Sequence, residues 1–350
     1  MAVAGGNNMV DHERVMARVI ARAEHSRLLA PPNPWVGCVI VTTDGISYEG
    51  ATQRPGGPHA ERMAIEAAGS RTKGATLYTT LEPCGHHGLT GPCTDAIIDS
   101  GVVEVVVALE DPDSNVRGSG VARLRSAGIE VTVGPGASLV ERQLAPYLHH
   151  RRTGRPYVVL KMASTLDGRT AAADGSSQWI TGEAARADVQ RLRAESDAIV
   201  VGAGTVRADN PRLTVRNVLA SDGTVPREPL RVVLGAAPPD AAIFPCAEYS
   251  GPVGELLDQL GAQGIVQLMV EGGAMVAGSF HQAGLVDRYV LYMAPALVGG
   301  ADGLPMFSGS GASTMDELFR GEIDQLVKLG NDVRIDLCPM PDSLTEEGSR

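Results

Sequence analysis

The chain has 350 residues, more than one hydrophobic core ordinarily serves and enough for two domains. Hydrophobic residues make up 43% and charged residues 20%, the balance of a globular chain with material for a real core. Asp and Glu total 41 against 30 Lys and Arg, and a net charge of −11 excludes extended binding to nucleic acid or to an anionic membrane. Any phosphate is therefore expected in a local pocket. At 4% aromatic residues, a stacking surface for single-stranded nucleic acid is absent too. No apolar run approaches the roughly 20 residues that cross a bilayer, and Met1–Val10 lacks the pattern of a secretory leader. Five cysteines, an odd number, do not make a disulfide framework, so a cytoplasmic protein with free or metal-binding thiols is expected. Lys73, Lys161 and Lys328 are the only lysines.

From Asp11 to Leu29, apolar residues recur at helical spacing, and Val36–Thr42 is a β-branched strand after a Pro-rich turn. His59–Ala68 reads as a helix, Ala75–Thr80 as a strand and Glu82–Pro92 as a loop. Thr94–Ser100 returns to helix, Val102–Leu109 is a buried strand, and the helix Ser119–Ala127 precedes the strand Ile129–Val133. Such alternation predicts a mostly parallel sheet covered by helices.

The polar, basic stretch from Leu148 to Pro156 ends in Gly and Pro and marks a domain junction, with His149 and His150 read as solvated there. The expected domains are 10–150 and 156–338, with a disordered tail over 339–350. In the second half, strands are predicted at Tyr157–Ala163, Ala198–Val201, Arg231–Leu234, Val266–Val270 and Arg288–Met293. Helices are predicted at Gly182–Glu195, capped by Thr181, at Gly254–Leu260 and at Ala274–Ala283. A closing hairpin turns at Gly330-Asn331-Asp332.

The densest chemistry is His59-Ala60-Glu61, then Pro83-Cys84, then Pro92-Cys93. Catalytic zinc takes three protein ligands and keeps one position open, which His59, Cys84 and Cys93 satisfy. Glu61, in the same helical turn as His59, is placed to move a proton between water and a departing amino nitrogen. Zinc nucleobase deaminases carry His-x-Glu followed by Pro-Cys-x-x-Cys, whereas here eight residues, Gly85 to Pro92, separate the cysteines.

That insertion carries a resemblance. The run Thr80-Leu81-Glu82-Pro83-Cys84-Gly85-His86-His87-Gly88-Leu89-Thr90-Gly91-Pro92-Cys93, with Pro32–Gly37, Gly56–Glu61 and Glu110-Asp111-Pro112, resembles the deaminase half of the bifunctional riboflavin-biosynthesis deaminase–reductases. The resemblance implies an α/β chain whose N-terminal domain has a cytidine-deaminase-like α/β/α fold, acting on a diaminopyrimidinone with a ribosylamino 5′-phosphate. It also implies that Asn33 grips the pyrimidine and that His86 lies near the phosphate. The family usually carries a basic residue where Leu89 stands, commonly Pro at Gly91, and an apolar residue at Arg62. A second reading is therefore a paralogue with an impaired or re-targeted deaminase site (Leu89, Gly85) that acts mainly as a reductase. A zinc-stabilised binding module without turnover is disfavoured by Glu61, since structural zinc needs no proton carrier.

In the second half, Gly202-Ala203-Gly204 follows a strand but Arg207 stands where a dinucleotide fingerprint needs its third glycine. Gly272-Gly273 before a helix allows close approach of a pyrophosphate, or simply a tight turn. Lys161–Arg169, Ser177–Thr181, Gly204–Pro211, Leu213–Arg216 and Val270–Gly273 resemble, in order, the family's reductase domain. This implies a C-terminal dihydrofolate-reductase-like α/β fold that uses NADPH, and a homo-oligomer. By the same resemblance Ser164, Trp179, Thr205, Asp209 and the segment from Gly273 line the NADPH site, while Ser177, Arg193, Leu213, Arg216 and Glu271 meet substrate. Arg193 and Arg216 offer planar forks for a phosphate. Lys161, in an apolar strand, is the expected acid for opening the ribose ring, with Glu271 expected to orient either Lys161 or the ribose hydroxyls.

Overall fold

A computed structural model describes residues 12–86, 91–113 and 116–340. The chain divides into two compact units, one built from the residues up to Thr153 together with Leu219–Thr224, the other from the remainder.

The first unit comprises α1 (His12–Glu24), β1 (Gly37–Val41), β2 (Ser47–Ala51), α2 (Ala60–Ala68), β3 (Thr76–Leu81), α3 (Cys93–Ser100), β4 (Glu104–Leu109), α4 (Ser119–Ser126), β5 (Glu130–Val133), α5 (Ala137–Gln143) and α6 (Ala145–Thr153). Its sheet has the order β2-β1-β3-β4-β5. β1 is antiparallel to β2 and β3, while β3, β4 and β5 are mutually parallel. Central residues such as Val39, Ile40, Leu77, Tyr78, Val105 and Val106 are fully buried, which explains why these strands read as continuous apolar runs: helices cover both faces. This is the arrangement expected of a cytidine-deaminase-like domain.

Several elements depart from the sequence expectation. α1 stops at Glu24, five residues short of Leu29, and hydrogen-bonded turns follow, among them Ala30 N–H to Ser26 O at 2.8 Å. Strand β2 escapes a hydropathy reading because it is an edge strand that buries only its last two residues. Its Gly50 is a packing requirement, since a Cβ there would stand 2.0 Å from the carbonyl oxygen of Ala60 on α2. Helices α5 and α6 were likewise not anticipated. α6 continues through the basic stretch to Thr153 and buries Leu148 and His150, so that pair is not solvated as expected.

The second unit contains β6 (Tyr157–Thr165), β7 (Arg169–Ala171), α7 (Glu183–Glu195), β8 (Ala198–Gly202), α8 (Ala203–Asp209), β9 (Leu230–Leu234), β10 (Ala247–Tyr249), α9 (Val253–Ala262), β11 (Gln267–Val270), α10 (Ala274–Gln282), β12 (Arg288–Ala294), β13 (Leu304–Pro305), β14 (Gly321–Leu329) and β15 (Asp332–Pro339). Eight strands form one sheet in the order β10-β9-β8-β11-β6-β12-β15-β14. It is parallel from β10 to β12, and β15 and β14 close it antiparallel. Alternate residues feed two cores. Val158, Leu160, Val200, Leu268 and Val270 pack with Leu256 and Leu260 of α9 and Phe280 of α10. Val159, Ile199, Val201, Met269 and Val290 pack with Val189 and Leu192 of α7 and Val206 of α8. These layers agree with the dihydrofolate-reductase-like fold expected.

Thr181 does not cap α7. The N-cap is Gly182, whose N–H donates to Asp332 Oδ2 at 2.6 Å, a side chain 150 positions away that local sequence does not reveal. The closing hairpin turns at Gly330 as expected, but β15 reaches Pro339, the first residue assigned to the tail. Residues 341–350 lie outside the described residues. Among the described residues no helix is long and apolar enough to cross a membrane.

Candidate active sites

Four loops of the first unit converge at one end of its sheet. Leu81 at the end of β3 is in register with Leu109 at the end of β4. Gly37, opening β1, donates its N–H to Thr80 Oγ1 at 3.2 Å, and Val36 N–H donates to Thr52 Oγ1 at 3.2 Å. Antiparallel pairing of β1 therefore brings the turn holding Asn33 and the loop from Thr52 to His59 beside the loop from Glu82 to Cys93.

His59 sits in extended conformation at the N-cap of α2, Cys84 two residues beyond the buried Glu82, and Cys93 in the first turn of α3. Their donor atoms all lie within 4.8 Å of one another. His59 Nδ1 is 3.7 Å from Cys84 Sγ and 3.4 Å from Cys93 Sγ. Tetrahedral zinc with ordinary Zn–N and Zn–S bonds holds N and S about 3.5 Å apart, so both histidine–thiol separations fit zinc. Hydrogen bonding to Cys93, and then to His59, holds the Cys84 thiol well below its ordinary range. Glu61 is 3% exposed, and burial pushes its carboxyl up, with His59 opposing. A buried carboxyl two residues beyond His59, the N-cap of α2, is placed to carry a proton at the cluster.

Sequence reasoning assigned no role to Glu82. Its Oε2 accepts the N–H groups of Asp111 and Gly118 at 3.2 and 2.9 Å, and its Oε1 those of Gly120 and Val121 at 2.8 and 3.1 Å. One carboxylate thus ties the metal loop to the segment after β4 and to the start of α4. The available signal was an acid between a buried strand and Pro83-Cys84. Glu82→Gln leaves one amide oxygen for four buried donors, and a loss of about 3 kcal/mol is expected in the unfolding of the first unit, measured by calorimetry.

Arg62 also has a local partner. Its Nη2 donates to Pro92 O at 3.1 Å, bracing α2 against the entry to α3, and a Cβ at Gly91 would stand 3.0 Å from that nitrogen. Asn33 is half-buried in the turn before β1, and His86 is exposed. Leu89 lies outside the described residues.

The second unit gathers its polar groups where its parallel strands end, the usual place for ligands in such sheets. Val270, the last residue of β11, is in register with Leu160 and Val200, which puts Glu271 beside Lys161. Lys161 Nζ lies 3.5 Å from Glu271 Oε1. Arg193 of α7 meets Glu271 as a fork, Nε to Oε2 at 2.9 Å and Nη2 to Oε1 at 2.8 Å, and its Nη1 donates to Thr214 O at 3.4 Å. That guanidinium is therefore engaged inside the protein. Burial would raise the Glu271 pKa, but Lys161 and Arg193 hold it down at about 2.

A folded pKa below the ordinary glutamate value adds stability that is complete above about pH 4.3 and disappears as pH falls toward 2. Glu271→Gln leaves two mostly buried cations underpaired, at a cost of about 3 kcal/mol at pH 7. Urea unfolding of both chains should show that deficit narrowing as pH falls below about 4.3.

The remaining groups fall into pairs. A Cβ on Gly273 would stand 2.9 Å from Thr205 Oγ1, so these two are in contact. Ser177 Oγ donates to Asp209 Oδ1 at 3.4 Å. Leu213 is buried with φ +51° next to Thr214, while Arg216 is exposed and anchored through its N–H to Gln190 Oε1 at 3.0 Å. Trp179 is 72% exposed, with the Arg186 guanidinium 4.8 Å from its ring centre. Ser164 is fully buried and its Oγ has no hydrogen-bond partner, an orphaned polar atom at the end of β6 that fits a cofactor amide.

The two sites have the make-up of a zinc-type hydrolytic deaminase and a nicotinamide reductase joined in one chain. Residues 9–109 match the family model of the cytidine and deoxycytidylate deaminase zinc-binding region, and residues 156–335 that of the RibD C-terminal domain. The riboflavin biosynthesis protein RibD of Escherichia coli is 42% identical over 324 residues, covering 82% of this chain and 88% of that protein. RibD of Bacillus amyloliquefaciens is 39% identical over 356 residues, covering 93% and 96%. The solved structure of Acinetobacter baumannii RibD superposes with a TM-score of 0.88 at 38% identity, covering 94% of this chain and 99% of that one. A Thermotoga maritima diaminohydroxyphosphoribosylaminopyrimidine deaminase/5-amino-6-(5-phosphoribosylamino)uracil reductase superposes at 0.83 with 34% identity, covering the same shares. The chain belongs to the RibD family of riboflavin biosynthesis proteins and is a bifunctional deaminase and reductase.

Proposed function

We propose that the first unit hydrolyses the ring amino group of 2,5-diamino-6-(5-phosphoribosylamino)pyrimidin-4(3H)-one and that the second reduces the product's ribosyl chain to ribityl with NADPH. The substrate assignment is supported by the activity named for the Thermotoga relative. The observation that carries the deaminase half is the His59, Cys84, Cys93 cluster with Glu61 buried beside it.

His59, Cys84 and Cys93 hold zinc, which when bound supplies the Lewis acidity that makes water nucleophilic near neutral pH. Glu61 takes the proton of the attacking water and delivers it to the departing amino nitrogen, so ammonia leaves and a carbonyl remains. Asn33 holds the pyrimidine and His86 the phosphate end. In the second unit Ser164, Trp179, Thr205, Asp209 and Gly273 hold NADPH, whose reduced nicotinamide supplies the hydride. Lys161 provides the proton to the ring oxygen or nitrogen as the sugar opens at C1′, and Glu271 fixes Lys161 and Arg193 against each other. Ser177, Leu213 and Arg216 line the substrate's path, with Arg216 the exposed guanidinium for its phosphate. A homo-oligomer in the cytoplasm completes the reading.

The test is to measure zinc in the purified chain and to follow ammonia release and NADPH oxidation separately. Both activities are expected on the diaminopyrimidinone phosphate. NADPH oxidation on the deaminated compound alone, without ammonia release from its precursor, would establish the paralogue reading instead.

A further inference from the structure

Parallel neighbouring strands ordinarily send their chains into separate loops, but beyond the ends of β6 and β12 the two chains are laced together. Ser164 and Thr165 are in register with Met293 and Ala294. Leu166 N–H then donates to Ala296 O at 2.9 Å. Asp167 accepts the N–H groups of Val298 and Gly299 at 3.2 and 2.9 Å, and the Thr165 hydroxyl at 2.5 Å. Two residues on, the Arg169 guanidinium donates to Gly300 O at 2.9 Å and to Gly303 O at 3.1 Å. β7 and β13 pair immediately afterwards.

A carboxylate thus takes the donors of one end of the 298–303 segment while a guanidinium takes the acceptors of the other. The segment is Val-Gly-Gly-Ala-Asp-Gly, with little side-chain bulk to fix its own course. Its position is therefore set by Asp167 and Arg169. Multiple hydrogen bonds to the ionised form, first from Thr165 and then from Gly299, hold the Asp167 carboxyl down at about 2, so the grip persists at any working pH. The lacing begins two residues beyond Ser164, and Leu166 and Leu297, 60% and 70% exposed, flank it as bare apolar surface at the strand ends.

Resting on the reading of this unit as an NADPH reductase, we propose that Asp167 and Arg169 are positioning residues for the nicotinamide cofactor. They hold the segment after β12 as a fixed wall beside Ser164, so that cofactor binding does not have to order it. Loss of either grip transfers that ordering cost to the binding step.

NADPH affinity is measured on the full chain without substrate, by nicotinamide fluorescence, for the parent, Asp167→Asn, Arg169→Ala and the double variant. Each single change is expected to weaken binding about tenfold. The double variant should fall short of the product of the two, because both residues act through one segment. In turnover, KM for NADPH should rise more than kcat falls, and ammonia release should stay at the parent rate. Unchanged NADPH affinity in both singles overturns the inference. So does a loss of reduction that follows the melting temperature while affinity holds, which marks a merely structural role. A parent chain that binds no NADPH overturns the reductase reading itself, and this inference with it.

Discussion

Glu61→Gln is expected to keep its zinc and to lose ammonia release by about a thousandfold, roughly 4 kcal/mol of transition-state stabilisation. The amide has nearly the shape of the acid but cannot carry a proton from water to the leaving nitrogen. The side chains grouped so that they could hold a metal are His59, Cys84 and Cys93, without Glu61, so metal content measured by mass spectrometry should match the parent. NADPH oxidation on the deaminated compound should also be unchanged, because Glu61 belongs to the first compact unit and the Lys161 cluster to the second. Ammonia release at the parent rate would remove Glu61 from the mechanism.

The second large effect is expected at Lys161. Lys161→Ala removes the ammonium that faces Glu271 and lies 6.0 Å from the Tyr292 ring centre. Without a proton source, reduction should slow by about 10²- to 10⁴-fold, with kcat rather than NADPH affinity carrying the loss. Ammonia release should stay unchanged. Equal loss of both activities would instead indicate failure to fold. Lys161→Arg keeps the charge opposite Glu271 but holds its proton too firmly to donate, so it should restore stability without restoring turnover.

Where sequence and structure agree, periodicity and chemistry reinforced one another. The fully buried strands around Val39, Leu77, Val105, Val200 and Leu268 announced themselves because both faces of the central strands are covered. The zinc trio was legible because few arrangements need one histidine and two Pro-Cys pairs after a strand. What was illegible depends on partners distant in the chain. Gly182 is capped by Asp332, Glu82 gathers donors from 111 to 121, and the Arg193 fork closes on Glu271. From sequence Arg193 read as a fork for phosphate, whereas in the fold its nitrogens face an internal carboxylate. Edge strands such as β2 and short ones such as β7 and β13 bury too little surface to leave a hydropathy pattern.

Arg62 and Gly91 stand where the family resemblance leads one to expect an apolar residue and a proline, and taken singly each looks like an erosion of the deaminase site. The bond from Arg62 to Pro92 O and the 3.0 Å approach to any Cβ at 91 link the two positions. A side chain at 91 would have to move the guanidinium tip by a few tenths of an ångström, whereas glycine leaves it room. Substitutions at 62 and 91 are therefore expected to be non-additive. The brace therefore fastens the entry to α3 next to the His59, Cys84 and Cys93 cluster, and its loss would be felt first at Cys93.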